Sequence, residues 1–157
     1  MAREAEIQRE KESVLFICTF NSARSQIAEG LLRARCGGRF TIYSAGIAPA
    51  GLNPYAVMAM REIGIDISQQ RSKSLKTFTA MKFDHVVTLC DHVGLAASGS
   101  IPRGGHYYHR GFISPSEMRR DKAAILVDYR RLRNDMSNWL SEVFPDCADK
   151  QAENKRE

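Results

Sequence analysis

Val14-Leu15-Phe16-Ile17-Cys18-Thr19-Phe20-Asn21-Ser22-Ala23-Arg24-Ser25 is the stretch that decides the fold. A short apolar run ends at a cysteine, an arginine stands six positions on, and a serine and an amphipathic segment follow. Such a run, bounded by a polar loop, fits a buried parallel strand. The loop Thr19, Phe20, Asn21, Ser22, Ala23 and Arg24 can wrap its backbone N–H groups around a tetrahedral oxyanion. The helix after it aims the positive end of its dipole at the same point. Arg24 adds a planar fork able to bind two oxygens at once. These fields favour the thiolate form of Cys18, which is the form that attacks, and Ser25 can donate to it. The ordinary alternative is a buried core cysteine. It explains the apolar run but not Arg24, Ser25 and the helix together.

Outward from this loop the pattern alternates. Val14–Ile17, Phe40–Ser44, His85–Leu89 and Gly104–Tyr108 read as strands. Gln26–Arg35, Pro54–Ile63, the short Leu75–Met81 and Asp121–Val143 read as helices. Asn53-Pro54 starts the second helix and Gly64 stops it. In the last helix Ile125, Tyr129, Leu132, Met136, Leu140 and Val143 recur every three or four residues, which marks a core face. Strands alternating with helices predict a single α/β domain, an open four-stranded parallel sheet flanked by helices. Ligands of such sheets bind beyond the carboxyl ends of the strands. Cys18 and Cys90 both fall at that end. The domain is expected to span 13–146, with flexible polar termini over 1–12 and 147–157.

Composition narrows the function classes. At 157 residues and 43% hydrophobic the chain can bury a core, and no run approaches the ~20 apolar residues of a membrane span. The charged N-terminus has no apolar signal core, so a cytoplasmic protein is expected, with no membrane partner. The net charge is +5, but the cations are scattered among acids without interleaved aromatics, which argues against nucleic acid. A positive field does help to draw in a small anion. Cys18, Cys36, Cys90 and Cys147 lack metal-ligand spacing, so no metal and no cofactor are expected. In a reducing compartment they are thiols or form transient catalytic disulfides.

The motifs resemble those of arsenate reductases built on the low-molecular-weight tyrosine phosphatase fold. The resemblance runs from Val14 to about Val143. It is carried by Cys18 to Gln26, Tyr43-Ser44-Ala45-Gly46, Asn53-Pro54, Ile63 to Ser68, Arg71-Ser72-Lys73-Ser74-Leu75 and Phe83 to Asp91. It implies that Cys18 attacks arsenate and that Cys90 then attacks the Cys18 sulfur, releasing arsenite. It also implies a monomer re-reduced by thioredoxin, glutaredoxin or a low-molecular-weight thiol. Two alternatives stand beside this expectation: a phosphatase acting on phosphomonoesters through Cys18, and a non-catalytic oxyanion- or phosphoprotein-binding relic.

Several positions depart from the family pattern. The third cysteine of thioredoxin-coupled members is Ala97 here, so either the Cys18–Cys90 disulfide is released directly, or Cys36, Cys147 or a small-molecule thiol completes the cycle. The loop glycine is Phe20, and the phosphatases' second loop cysteine is Ala23. The family's general acid, before Pro115, is Ser114, a poor acid near neutral pH. Glu117 is then the candidate general acid, although its ordinary reading is a solvated residue at a helix start, with Asp121 a turn further on. Some members bind potassium beside the loop through positions matching Asn21, Glu29 and Ser44. Here Arg71 or Lys73 could replace the ion, or both could be exposed cations.

Overall fold

A computed structural model describes residues 11–91, 101–118 and 120–145. Four strands, β1 (Glu12–Cys18), β2 (Phe40–Gly46), β3 (Lys82–Thr88) and β4 (Arg103–His109), form one parallel sheet in the order β2-β1-β3-β4. The helices are α1 (Arg24–Cys36), α2 (Pro54–Arg61) and α3 (Lys122–Val143), with a 3-10 turn at Leu75–Phe78. The open parallel α/β sheet expected from the alternating pattern is the observed fold.

β1 is central because it is the most continuously apolar strand. Val14, Leu15, Phe16 and Ile17 are fully buried, as a strand covered on both faces must be. The register sets Cys18 beside Gly46 of β2 and Ile17 beside Thr88 of β3. α1 packs on β1 and β2, and α3 packs on α1 and α2. α3 buries Ile125, Tyr129, Leu132, Met136 and Leu140, the stripe seen in the sequence, with Val143 half-buried. Leu140 is fully buried, so its truncation to alanine would cost roughly 2–5 kcal/mol.

Boundaries moved where caps and loops competed with periodicity. α1 begins at Arg24 rather than Gln26, so the anion loop runs straight into the helix. Asn53 caps α2, accepting from the Tyr55 and Ala56 N–H groups, and Pro54 fills the first turn. β3 ends at Thr88, which leaves Cys90 two residues beyond it. α3 begins at Lys122 with Asp121 as its cap, accepting from the Ala124 N–H at 2.7 Å. Glu117 therefore lies in the preceding loop, not at a helix start. Cys36, expected as a thiol or in a transient catalytic disulfide, is disulfide-bonded, whereas Cys18 and Cys90 are free. Cys147, Ala97 and the segment 92–100 lie outside the described residues.

Candidate active site

The end of β1 delivers Cys18 into the turn between strand and helix, with its sulfur almost wholly buried. The carbonyls of Thr19, Phe20 and Ser22 are taken by the N–H groups of Ala48, Ala50 and Asn53. With those carbonyls held by the 48–53 segment, the peptide planes turn their N–H groups the other way. Gly46 permits the approach: a Cβ there would lie 2.7 Å from the Asn21 nitrogen. Asn21 has a φ of 45°, a left-handed backbone that asparagine tolerates better than most residues.

A buried amide network fixes that conformation and aims protons at the sulfur. Asn21 Oδ1 accepts from the Lys73 N–H at 2.7 Å and from Gln26 Nε2 at 3.0 Å. A backbone donor on Oδ1 settles the amide's orientation, so Asn21 Nδ2 donates to Ser25 Oγ at 2.7 Å. Ser25 is then an acceptor on that side, and its own hydrogen is free for Cys18 Sγ at 2.9 Å. The Asn21 N–H donates to the same sulfur at 3.2 Å. Cys18 Sγ thus accepts from two donors, one a side-chain hydroxyl and one a backbone N–H.

Arg24 is nearly buried, and its Nη1 donates to the Phe112 carbonyl at 3.1 Å. That bond ties the loop to the segment after β4. A pocket of about 210 Å³ opens over the sulfur. Its floor is Cys18, Ser22, Ala23 and Arg24, and its walls include Phe20, Asn53, Ser114, Glu117 and Tyr129. Ser114 and Glu117 thus share the pocket with Cys18, and Asp121 does not line it. Glu117 Oε2 accepts from Asn53 Nδ2 at 3.1 Å and from the Tyr129 hydroxyl at 3.2 Å. Burial, and then the Glu117 charge beside it, push the Tyr129 phenol well above the ordinary tyrosine range.

Cys90 is also buried, and its Sγ lies 3.1 Å from Thr19 Oγ1. The second sulfur therefore rests against the residue that follows the first. The Leu89 N–H donates to the Ile17 carbonyl at 2.9 Å and carries the β1–β3 pairing to this point.

Beside the loop, Glu29 is buried and accepts from Ser44 Oγ at 2.9 Å. Its cations are Arg33, at 3.0 Å, and Lys73, at 3.7 Å. Burial lowers the Lys73 pKa, and the charge of Glu29 opposes that shift. Arg71 contributes its carbonyl, which accepts from Gln26 Nε2 and Lys73 Nζ. Of the two candidate replacement cations, Lys73 is the one paired with Glu29. Among the described residues no group of three His, Cys, Asp or Glu side chains is disposed to hold a metal ion.

The sequence reading missed three residues that line the pocket, Ala50, Asn53 and Tyr129. Asn53 was legible only as a helix cap, and Tyr129 only as a member of a core stripe. A tyrosine in such a stripe is itself a signal, because its hydroxyl needs a partner when buried.

The family model for low molecular weight phosphotyrosine protein phosphatase matches residues 13–104. An arsenate reductase of Halalkalibacterium halodurans is 40% identical over 130 residues, spanning 83% of this chain and 93% of that protein. The solved structure of an arsenate reductase in the phosphate binding state superposes with a TM-score of 0.69 at 26% identity, covering 87% of this chain and 98% of that one. A low molecular weight protein tyrosine phosphatase from T. tengcongensis gives a TM-score of 0.73 at 23% identity over 87% of this chain and 99% of its own, a likeness of fold.

Proposed function

The chain belongs to the low molecular weight phosphotyrosine protein phosphatase family, and within it we propose that it works as an arsenate reductase. The observation that carries this reading is the pair of free, buried sulfurs: Cys18 under two hydrogen-bond donors, and Cys90 one residue away against Thr19. A phosphatase needs the first sulfur and has no work for the second.

Arsenate enters over Cys18, held by the loop N–H groups of residues 19–24 and by the Arg24 fork. The Cys18 thiolate attacks arsenic, an S–As bond forms, and one oxygen leaves as water after gaining a proton. Ser114 is a poor source of that proton, and Glu117, which shares the pocket, is the group we assign to it. The Cys90 thiolate then attacks Cys18 Sγ. The S–S bond forms, the S–As bond breaks, and its electron pair goes to arsenic, which leaves as arsenite. Two thiols are oxidised to one disulfide as As(V) becomes As(III). A thioredoxin, a glutaredoxin or a low-molecular-weight thiol closes the cycle. We infer a monomer of one functional domain over 13–146, working in the cytoplasm where such reductants are found. No described helix is long and apolar enough to cross a membrane.

Mass spectrometry of the reduced protein after arsenate should find a Cys18–Cys90 linkage and one arsenite per chain. Cys90→Ser should stop arsenite release and leave phosphate protection of Cys18 against iodoacetamide intact. Wild-type arsenite release from Cys90→Ser would refute the two-cysteine scheme.

The second reading is a phosphomonoesterase. It is favoured by the pocket walls, since Phe20 and Tyr129 extend beyond the loop that holds an oxyanion. Under that reading ester hydrolysis passes through a Cys18 phospho-enzyme and is unchanged in Cys90→Ser.

A further inference from the structure

We propose that His109 is a positioning residue for Cys90: it forms a clasp between the residues that flank the second thiol, and Gly111 leaves room for that clasp. The proposal rests on the reading above, in which Cys90 resolves the Cys18 adduct.

Thr88 and His109 are register partners on neighbouring strands. Thr88 Oγ1 lies 2.7 Å from His109 Nδ1, and His109 Nε2 lies 2.9 Å from Asp91 Oδ1. One imidazole therefore bridges the residue two before Cys90 and the residue one after it. A carboxylate only accepts, so Nε2 carries a hydrogen, and in the neutral ring Nδ1 accepts from the Thr88 hydroxyl. In the doubly protonated ring Nδ1–H donates to Thr88 Oγ1, which can pass its own hydrogen to the Tyr108 carbonyl at 3.4 Å. The bridge persists in either state.

Gly111 leaves room beside the exposed Asp91 carboxylate, so its substitution gives a second handle on the bridge. A Cβ on Gly111 would lie 2.5 Å from Asp91 Oδ1 and 2.8 Å from its other carboxylate atoms. That distance is closer than real Cβ atoms approach, so an alanine at 111 would swing the Asp91 side chain away from His109.

The clasp matters because the backbone ladder stops just before Cys90. Leu89 is held on both sides, its N–H by the Ile17 carbonyl and its carbonyl by the Phe112 N–H. Past Leu89 the described holds are made by side chains: Cys90 to Thr19, and Asp91 to His109. His109 thus limits how far Cys90 drifts from the Cys18 sulfur that it must attack. The step itself is the one given above, with the Cys90 proton lost to water before attack. His109 touches neither arsenic nor the reacting sulfurs.

The test uses the full chain, reduced, in single-turnover reactions with arsenate. His109→Asn removes the bridge, Gly111→Ala displaces the carboxylate while leaving His109 in place, and Asp91→Asn keeps an acceptor for Nε2–H. His109→Asn and Gly111→Ala should slow Cys18–Cys90 disulfide formation about three- to tenfold, the scale of one modest hydrogen bond. Asp91→Asn should retain most of the wild-type rate. The same two variants should speed iodoacetamide labelling of Cys90, while phosphate affinity and phosphate protection of Cys18 stay unchanged. A merely structural loss would weaken phosphate binding as well, and that outcome overturns the proposal. Wild-type rates of disulfide formation and Cys90 labelling in both variants, with Cys90→Ser inactive, overturn the clasp alone. Wild-type turnover in Cys90→Ser overturns the two-cysteine reading and this role with it.

Discussion

Arg24 shows how one side chain serves both scaffold and ligand. Its Nη1 is committed to the Phe112 carbonyl, while the side chain lines the same pocket as Cys18. Lysine in its place keeps the charge and loses the fork. Arg24→Lys should weaken phosphate or arsenate binding about tenfold, read by calorimetric titration, with the unfolding midpoint little changed. Tyr129 offers a prediction in pH. Its phenol is held above the ordinary range by burial and then by Glu117, so the unfolded chain gives up this proton first. The stability it contributes is complete below the unfolded value of about 10 and is lost as pH rises from there toward the raised folded value. Ultraviolet titration should show a last tyrosine step well after the others, and Tyr129→Phe should remove that step. The same substitution should flatten the alkaline fall of the urea midpoint.

Among elements, β1 with its loop and α1 was the most legible in the sequence. A continuous apolar run followed by a 3.6-residue period leaves little choice. Asn21 was legible as a loop residue, but its role as the hub that orients Ser25 was not, because the backbone donor that fixes its amide, the Lys73 N–H, comes from a distant stretch of the chain. The end of β3 was misjudged by one residue: Leu89 continues the apolar pattern yet lies past the strand, since it bonds to Ile17 and Phe112. The rim of the pocket was the least legible part. Asn53, Glu117 and Tyr129 meet only because α2 and α3 pack together, and no local pattern encodes that meeting. The Lys73–Glu29 pair belongs to this scale, since it joins the segment before the 3-10 turn to α1. Lys73→Met leaves Glu29 with Arg33 and Ser44 alone. The half-exposed lysine makes the loss modest, about 1 kcal/mol in urea unfolding. The variant should also weaken phosphate binding slightly, because Lys73 Nζ holds the Arg71 carbonyl in the network under the loop, while the backbone N–H that bonds Asn21 remains.

In the whole molecule, covalent and topological constraints come together. Cys36 closes α1 and is disulfide-bonded, a covalent tie that the expected reducing compartment did not suggest. Cys36→Ala should lower the unfolding free energy by roughly 2–4 kcal/mol in oxidised protein, and added reductant should erase the difference between variant and parent. Urea curves with and without reductant check this. Catalysis should be indifferent to it, because the two free thiols lie at the other end of α1 and at the end of β3.

The strand order β2-β1-β3-β4 also has a consequence for the newborn chain. β1 gains its first neighbour from β2, close in sequence, but its second, β3, is separated from it by the whole of α1, β2 and α2. A ribosome adding about 5–20 residues per second makes Cys18 some 4–14 seconds before Cys90. Glu117 and Tyr129, which wall the pocket, arrive later still. Through that interval Cys18, the proposed nucleophile, exists without the thiol proposed to resolve its adducts. An oxidant or metalloid met during synthesis would therefore mark Cys18 in unfinished chains, at a stage when the finished enzyme's own remedy has not yet been translated.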